Sequence, residues 1–277
     1  TSIKLEQTIL DFGRGLELKK SITGLDLAKA KLVKKEQDVL HSAIDAYSNL
    51  ILVREKLNIN KKNLNLLNRQ VENDKIRLDR GQITITDLAQ SESSLAGAQA
   101  QFIQAKSELL ISKLTYENII GNILDPNQLK KNSNAIVSIP KTLNEAINLS
   151  KQNNPDIKIA KFDLAQSEKD LAISESNLMP TASLSLERSY ADDISSTIDE
   201  REKDVLKATV SWPFYSGGKK RSTIDKNSNL TNRKKLLLDD VVRTNQTNVA
   251  SAWSSLEASK GFLNSVKAQV RAAQIAN

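Results

Sequence analysis

A short apolar strand pattern that runs into a small-residue turn and then into a very long polar helix pattern occurs twice in this chain, about 205 residues apart. Self-similarity at a fixed spacing marks a repeated architecture, and here it restricts the chain to folds in which a strand leads straight into an unusually long helix. The second copy is the clearer. The run from Val205 to Tyr215, VLKATVSWPFY, alternates, Ser216-Gly217-Gly218 breaks it, and a helix pattern begins at Lys219-Lys220. The first copy runs from Gln7 through Asp11 and Gly13 to Arg14, and within the helix that follows, Asp45-Ala-Tyr-Ser-Asn-Leu50 answers to Ser251-Ala-Trp-Ser-Ser-Leu256.

Between Gly15 and Arg80 the chain has no proline and a single glycine, Gly24. That predicts one helix of roughly 100 Å at 1.5 Å per residue, far beyond the usual globular length. Leu50, Leu57, Leu64, Val71 and Leu78 recur at seven-residue spacing, and Leu88, Leu95, Phe102, Leu109 and Tyr116 do the same. Sustained heptads indicate helices packed side by side along their length. Between the two series, Gly81 can take the positive φ that closes one helix, and Thr84 with Asp87 forms a capping box for the next. Residues 13–121 therefore read as one long antiparallel hairpin with its tip near 81–87, preceded by a strand stub over 1–12.

Residues 122–153 read as an irregular connection containing Pro126 and Pro140, then a short helix opened by Thr142 and Glu145. Asn154 as N-cap with Pro155 in first position starts the next helix over 154–179, which Pro180 ends. From Thr181 the period becomes two. Ala182, Leu184 and Leu186 fall on one face, and Thr181, Ser183, Ser185 and Glu187 on the other. The returning strand puts Leu206, Ala208, Val210, Trp212 and Phe214 on one face and Lys207, Thr209 and Ser211 on the other. Residues 180–215 are thus expected to be a β-hairpin of two strands of about ten residues, the length of a tilted membrane strand. The polar stretch 191–203 between them is expected to be a loop, and 216–277 a second long helix.

Composition excludes several classes. The 39% hydrophobic and 4% aromatic content, with 9 Gly and 5 Pro, suits long helices rather than a broad globular core. With no Cys there is neither a disulfide framework nor a thiolate metal site, and His41 alone cannot complete an imidazole site. The net charge of +7 is spread among acidic residues along helix faces, without the basic blocks interleaved with aromatics that nucleic acid calls for. No nucleophile–base constellation, metal cluster or cofactor loop is present, and Gly217-Gly218-Lys219-Lys220 lacks the spacing of a phosphate-binding loop. An enzyme is not expected, nor any cofactor or metal. No run of 18 apolar residues is present for a membrane helix, and no signal peptide stands at Thr1. The chain opens inside a strand pattern and stops at Asn277 inside a helix pattern, so both ends read as cut.

An apolar strand face beside helices whose seams are too narrow to cover it needs lipid, and too few strands are present to close a barrel, so several copies must contribute. Here the residues reach a known family. Ser211-Trp-Pro-Phe-Tyr-Ser-Gly-Gly-Lys219 resembles the strand end and glycine turn of TolC-like outer-membrane efflux proteins, and Gln7-Thr-Ile-Leu-Asp-Phe-Gly13 resembles its first-repeat counterpart. Asn154-Pro155-Asp156-Ile157, Leu178-Met-Pro-Thr181 and the tip at Gly81, Thr84 and Asp87 are similar to the family's second-repeat entry and hairpin tip.

The resemblance implies a mainly α fold with a small β part: long antiparallel helical hairpins and short transmembrane strands that assemble as a homotrimeric α/β-barrel channel. It implies a passive exit duct in the outer membrane of a Gram-negative bacterium, its helical part in the periplasm, within a tripartite efflux or type I secretion system. The tip residues would dock a periplasmic adaptor, which links the duct to an inner-membrane pump. Ser183, Ser185, Glu187, Thr209 and Ser211 would line the lumen. Leu184, Leu186, Tyr190, Trp212 and Phe214 would face lipid or its interface, and Gly13, Gly217 and Gly218 would turn strand into helix. By that template the first strand and a second helical hairpin are missing from this chain. The alternative is a soluble periplasmic coiled-coil adaptor or structural interaction protein, with the tip glycine and cap serving only a tight turn. Tyr47 and Trp253 read as helix-packing residues, His41 as a helix-surface residue, and Asp192, Asp193, Asp199 and Glu200 as a solvated loop.

Overall fold

The computed structural model describes residues 1–122, 129–130, 139–195 and 198–275, with side chains throughout these except over 192–200. Pro126 and the backbone of residues 196–197 lie outside the described residues. In chain order the elements are β1 (Ser2–Leu10), α1 (Arg14–Asp79), α2 (Ile85–Ile119), α3 (Leu143–Asn153), α4 (Pro155–Ser176), β2 (Thr181–Ser195), β3 (Ile198–Ser211) and α5 (Lys219–Ile275). With 66 residues, α1 is about 100 Å long. The chain divides into two compact units, one of Lys35–Ser138 and one of Thr1–Lys34 with Ile139–Asn277.

The Lys35–Ser138 unit is built on a coiled-coil seam. On α1 the seven-residue row Leu50, Leu57, Leu64, Val71 and Leu78 is buried or half-buried, and so is the row three residues on from it, Val53, Asn60, Leu67 and Asp74. On α2 the large row from Leu88 to Tyr116 is half-buried. The deepest positions are a second row of small residues, Ser91, Ala98, Ala105 and Ser112, which pattern reading missed because small side chains carry little hydrophobic signal. Large residues in one row and small ones in the other form a knobs-into-holes seam. Cross-helix bonds give its direction. Asn49 Nδ2 donates to Ser112 Oγ at 3.2 Å, Lys56 meets Glu108 at 2.7 Å and Ser91 Oγ donates to Asp74 Oδ2 at 2.5 Å, so the helices run antiparallel.

In the other unit α4 is paired along its length with the first turns of α1 and with α5. Lys20 reaches Asp170 and Lys34 reaches Asp156. Between these ion pairs sits Gly24, where an added Cβ would lie 2.9 Å from Gln166 Nε2. The glycine inside the long helix thus makes room for the Gln166 amide. Against α5, Lys234 Nζ donates to Asp163 at 2.9 Å, Ser167 and Thr231 share a hydrogen bond at 3.0 Å, and Asn227 Nδ2 donates to the Asp170 carbonyl. At the α3–α4 break, Asn154 accepts from the Asp156 and Ile157 amides while its own Nδ2 donates to Asn245 Oδ1 on α5. Ser150 Oγ donates to the same oxygen. The Asn245 amide nitrogen is buried and has no hydrogen-bond partner among the described residues.

The sheet has strand order β1-β2-β3 with antiparallel neighbours. Two expectations are corrected. Residues 191–203 are not a loop between ten-residue strands: β2 has 15 residues and β3 has 14, with Ala191 opposite Arg201. Both faces are polar there, so the alternation that betrays a strand fades although backbone pairing continues, with a register shift between Asp192 and Ser195. At the other end β3 stops at Ser211 rather than Tyr215, because Pro213 has no N–H to give a ladder.

The chain exposes 20,701 Å², against about 12,000 Å² for a self-contained folded chain of its mass. Among the described residues Leu50 and Ile157 are the largest fully buried side chains. Leu50→Ala is expected to destabilise the hairpin by about 2–5 kcal/mol, and Ala105→Leu, which overfills the small-residue row, by about 1–3 kcal/mol. Thermal unfolding, with hydrogen exchange to locate the loss in α1 and α2, checks both.

Candidate functional site: a two-faced sheet and a hairpin tip

The strand register decides which residues share a face. Directly paired residues lie on the same side of a sheet, and alternate residues along a strand do too. Leu186 stands between Leu5 and Leu206, Leu184 beside Ala208, and Ala182 beside Val210. These define an apolar face on which Leu5, Leu206 and Val210 are about 70% exposed. Tyr190 follows on the same face toward the hairpin end, and Trp212 and Phe214, also exposed, lie just past the helix end of β3.

One feature of this face was missed by sequence pattern. Arg188 follows Leu186 on the same side, with Nη2 3.2 Å from Glu202 and Nε 3.7 Å from Asp204. This exposed ion cluster sits between the leucines and Tyr190. Cross-strand pairing brings its members together from positions 14 and 16 residues apart in sequence, so no local motif announces it.

The opposite face is polar. Ser183 is paired with Thr8 and Thr209, Thr181 with Ser211, and Ser185 lies between Glu6 and Lys207. Glu187 lies between Lys4 and Val205. The structure thus brings Ser183, Ser185, Glu187, Thr209 and Ser211 onto one side, and Leu184, Leu186 and Tyr190 onto the other.

The strand-to-helix turns of the two repeats use different physics. Before α1, Asp11 Oδ1 accepts from the Gly13 and Arg14 amides, a side-chain cap on the helix start. Gly13 makes a close approach: a Cβ there would lie 3.1 Å from Ser176 Oγ, so that side chain would have to give way. Before α5, Gly217 and Gly218 have φ of +58° and +80° with open space around them. Here glycine is required by backbone conformation. The same junction caps α4: Trp212 Nε1 donates to the Leu178 carbonyl at 3.1 Å, and Lys220 Nζ donates to the Asn177 carbonyl. The Asn177 carbonyl at the C-cap thus gains a cation, which a helix C-terminus favours, and the Leu178 carbonyl just beyond the helix gains a donor.

At the hairpin tip Gly81 has φ +72°, and its amide donates to the Leu78 carbonyl while that of Gln82 donates to the Arg77 carbonyl, a Schellman-type stop. Thr84 then opens α2 with a complete capping box: its side chain accepts from the Asp87 amide, and the Asp87 carboxylate accepts from the Thr84 amide at 2.8 Å. The Thr84 backbone and hydroxyl bonds, helped by the nearby Arg77 charge, hold the Asp87 carboxyl below the usual range.

Of the remaining residues, Tyr47 donates its hydroxyl to the Lys130 carbonyl at 2.7 Å, Trp253 is half-buried on α5, and exposed His41 lies 2.9 Å from Asp45 on its own helix. The side chains of Asp192, Asp193, Asp199 and Glu200 lie outside the described residues. No group of three or more metal-ligating side chains is found among the described residues, and no described helix is long and apolar enough to cross a membrane.

The family model described as outer membrane efflux protein matches residues 1–122 and 146–276. The chain belongs to the outer membrane efflux protein family. Among curated relatives, the outer membrane efflux protein BepC of Brucella suis is 26% identical over 99% of this chain. The proteases secretion protein PrtF of Dickeya chrysanthemi is 21% identical over 79% of it. The chain spans 60% of the length of BepC and 48% of PrtF. The crystal structure of the Vibrio cholerae outer membrane protein VceC matches with a TM-score of 0.79 at 15% identity, covering 95% of this chain and 64% of that one. This family member therefore has the TolC-like fold, mainly α with a small antiparallel sheet.

Two outcomes follow for this family member. Gly217→Ala and Gly218→Ala each place a side chain in the left-handed region and are expected to cost about 1–2 kcal/mol, measurable by thermal unfolding, whereas Gly15→Ala, at a glycine without positive φ, carries no such penalty. At the tip, the depressed Asp87 carboxyl gives the α2 start protection that is complete above the unfolded-state aspartate pKa. That protection declines as pH falls through it and is gone below the folded-state value. The protection factors of the Asp87 and Leu88 amides should fall over that acid range, and Asp87→Asn should remove the pH step.

Proposed function

We propose that this chain is the greater part of one subunit of an outer-membrane exit duct. The observation that carries the reading is the three-stranded sheet with an exposed apolar face, an opposite polar face and two outer strands unpaired on one side. An apolar sheet face is stable against hydrocarbon, but open strand edges are not, because unpaired backbone groups there have no water to bond. Further copies, each also adding strands this chain does not contain, must close the cylinder. The family resemblance supports three copies with four strands each.

Trp212 and Tyr190 stand about ten residues apart across the register, about 33 Å along the strand. At a tilt near 40° that is about 25 Å along the membrane normal, the height of the band in such barrels, with the Arg188–Glu202–Asp204 cluster at its Tyr190 margin, where charged side chains reach the headgroups. The cylinder then lies in the outer membrane of a Gram-negative bacterium. Since β2 begins after α4 and β3 ends before α5, the helices leave it from one rim, into the periplasm. The polar face lines a water-filled passage, and cargo crosses passively, driven by an inner-membrane pump. Gly81, Thr84 and Asp87 shape the tip that meets a periplasmic adaptor. The names of BepC and PrtF, an efflux protein and a protein of protease secretion, support small solutes or polypeptides as cargo.

The full-length protein should extract only with detergent, run as a trimer by native mass measurement and give stable single-channel conductance in planar bilayers. A protein that stays soluble without detergent and never conducts would return the assignment to a coiled-coil adaptor.

A further inference from the structure

The polar face of the sheet is graded along the strands. Nearest the helices its rows carry only hydroxyls, those of Thr8, Ser183 and Thr209 among them. The next two rows are charged but balanced: Glu6 shares a row with Lys207, Lys4 shares the following one with Glu187, and Lys4 Nζ lies 2.9 Å from Glu6. Toward the hairpin the balance ends. Lys203 is paired with Ser189, and Arg201 with Ala191. Neither row supplies a carboxylate of its own, so among the described side chains two cations on alternate positions of β3 stand without an acidic partner in their rows.

We infer that Arg201 and Lys203 form a basic belt inside the outer part of the duct, which makes the passage anion-preferring and favours anionic over cationic solutes on their way out. This rests on the reading of the polar face as the duct wall. Repetition of the belt in each copy around one axis adds the charges, and the low-dielectric wall focuses their field into the water column. The inward hydroxyl rows bind no charge strongly, so the belt sets the sign of the selectivity. The acidic stretch from Asp192 to Glu200 follows beyond it at the hairpin end, and neutralising Asp193 and Asp199 is expected to strengthen the preference, not create it.

The test is the reversal potential of the full-length channel in a planar bilayer under a KCl gradient. The chloride-to-potassium permeability ratio is expected to exceed one, to shrink toward one at molar salt, where screening acts over about 3 Å, and to fall at least about threefold in R201E/K203E. R201K/K203R should keep it. Because the chain contains no cysteine, Lys203→Cys offers a single thiol in an otherwise native channel. A sulfonated methanethiosulfonate should lower the ratio and a trimethylammonium one restore it, which keeps the idea testable if the double variant does not insert. A conducting channel that prefers potassium, or one whose ratio ignores both the charge reversal and the thiol reagents, overturns the belt while leaving the duct intact. The absence of any conductance overturns the duct itself, and the belt with it.

Discussion

The fold turns on a sheet whose two outer strands each have one unpaired edge among the described residues. Three strands expose leucine and valine on one side, hydroxyls and charges on the other, and leave backbone donors and acceptors along both outer strands. On the duct reading the apolar face and the open edges have different remedies: hydrocarbon covers the face, and further strands close the edges.

The helices answer a different requirement, which is to stay in register over great length with little apolar material. Their seams are one heptad pair wide, and uniform leucine rows would slide by a turn at small cost. Polar contacts oppose that slip. Asn49 with Ser112 and Asp74 with Ser91 pin the two ends of the hairpin seam, and Asn245 receives both Ser150 and Asn154 at the α3–α4 break. Such pairs add little stability, but shifting them by a turn leaves half-buried polar groups unsatisfied.

What could be read from the sequence was local. Gly81, Thr84 with Asp87, and Asn154 with Pro155 announce helix ends because each device acts within four residues. The long helices and the two faces of the central strand segment were legible because their periods persist. The failures have equally definite causes. The hairpin beyond Tyr190 lost its period when both faces became polar. The Ser91 to Ser112 row was invisible to a search for large residues. Arg188 with Glu202 and Asp204, and Trp212 with the Leu178 carbonyl, are made by strand pairing and by a chain reversal, so sequence distance hides them. Gly13 and Gly217 look alike in the repeat, yet one serves proximity to Ser176 and the other a left-handed backbone.

The cap that Trp212 and Lys220 place on the end of α4 has a mechanical meaning. One of these residues follows the last strand and the other opens the next helix, and both grip consecutive carbonyls where α4 runs into the first strand of the hairpin. Incoming and outgoing chain are thereby fastened at a single joint. The start of α5 and the end of β3 are therefore tied to the end of α4 by two side-chain bonds as well as by the backbone.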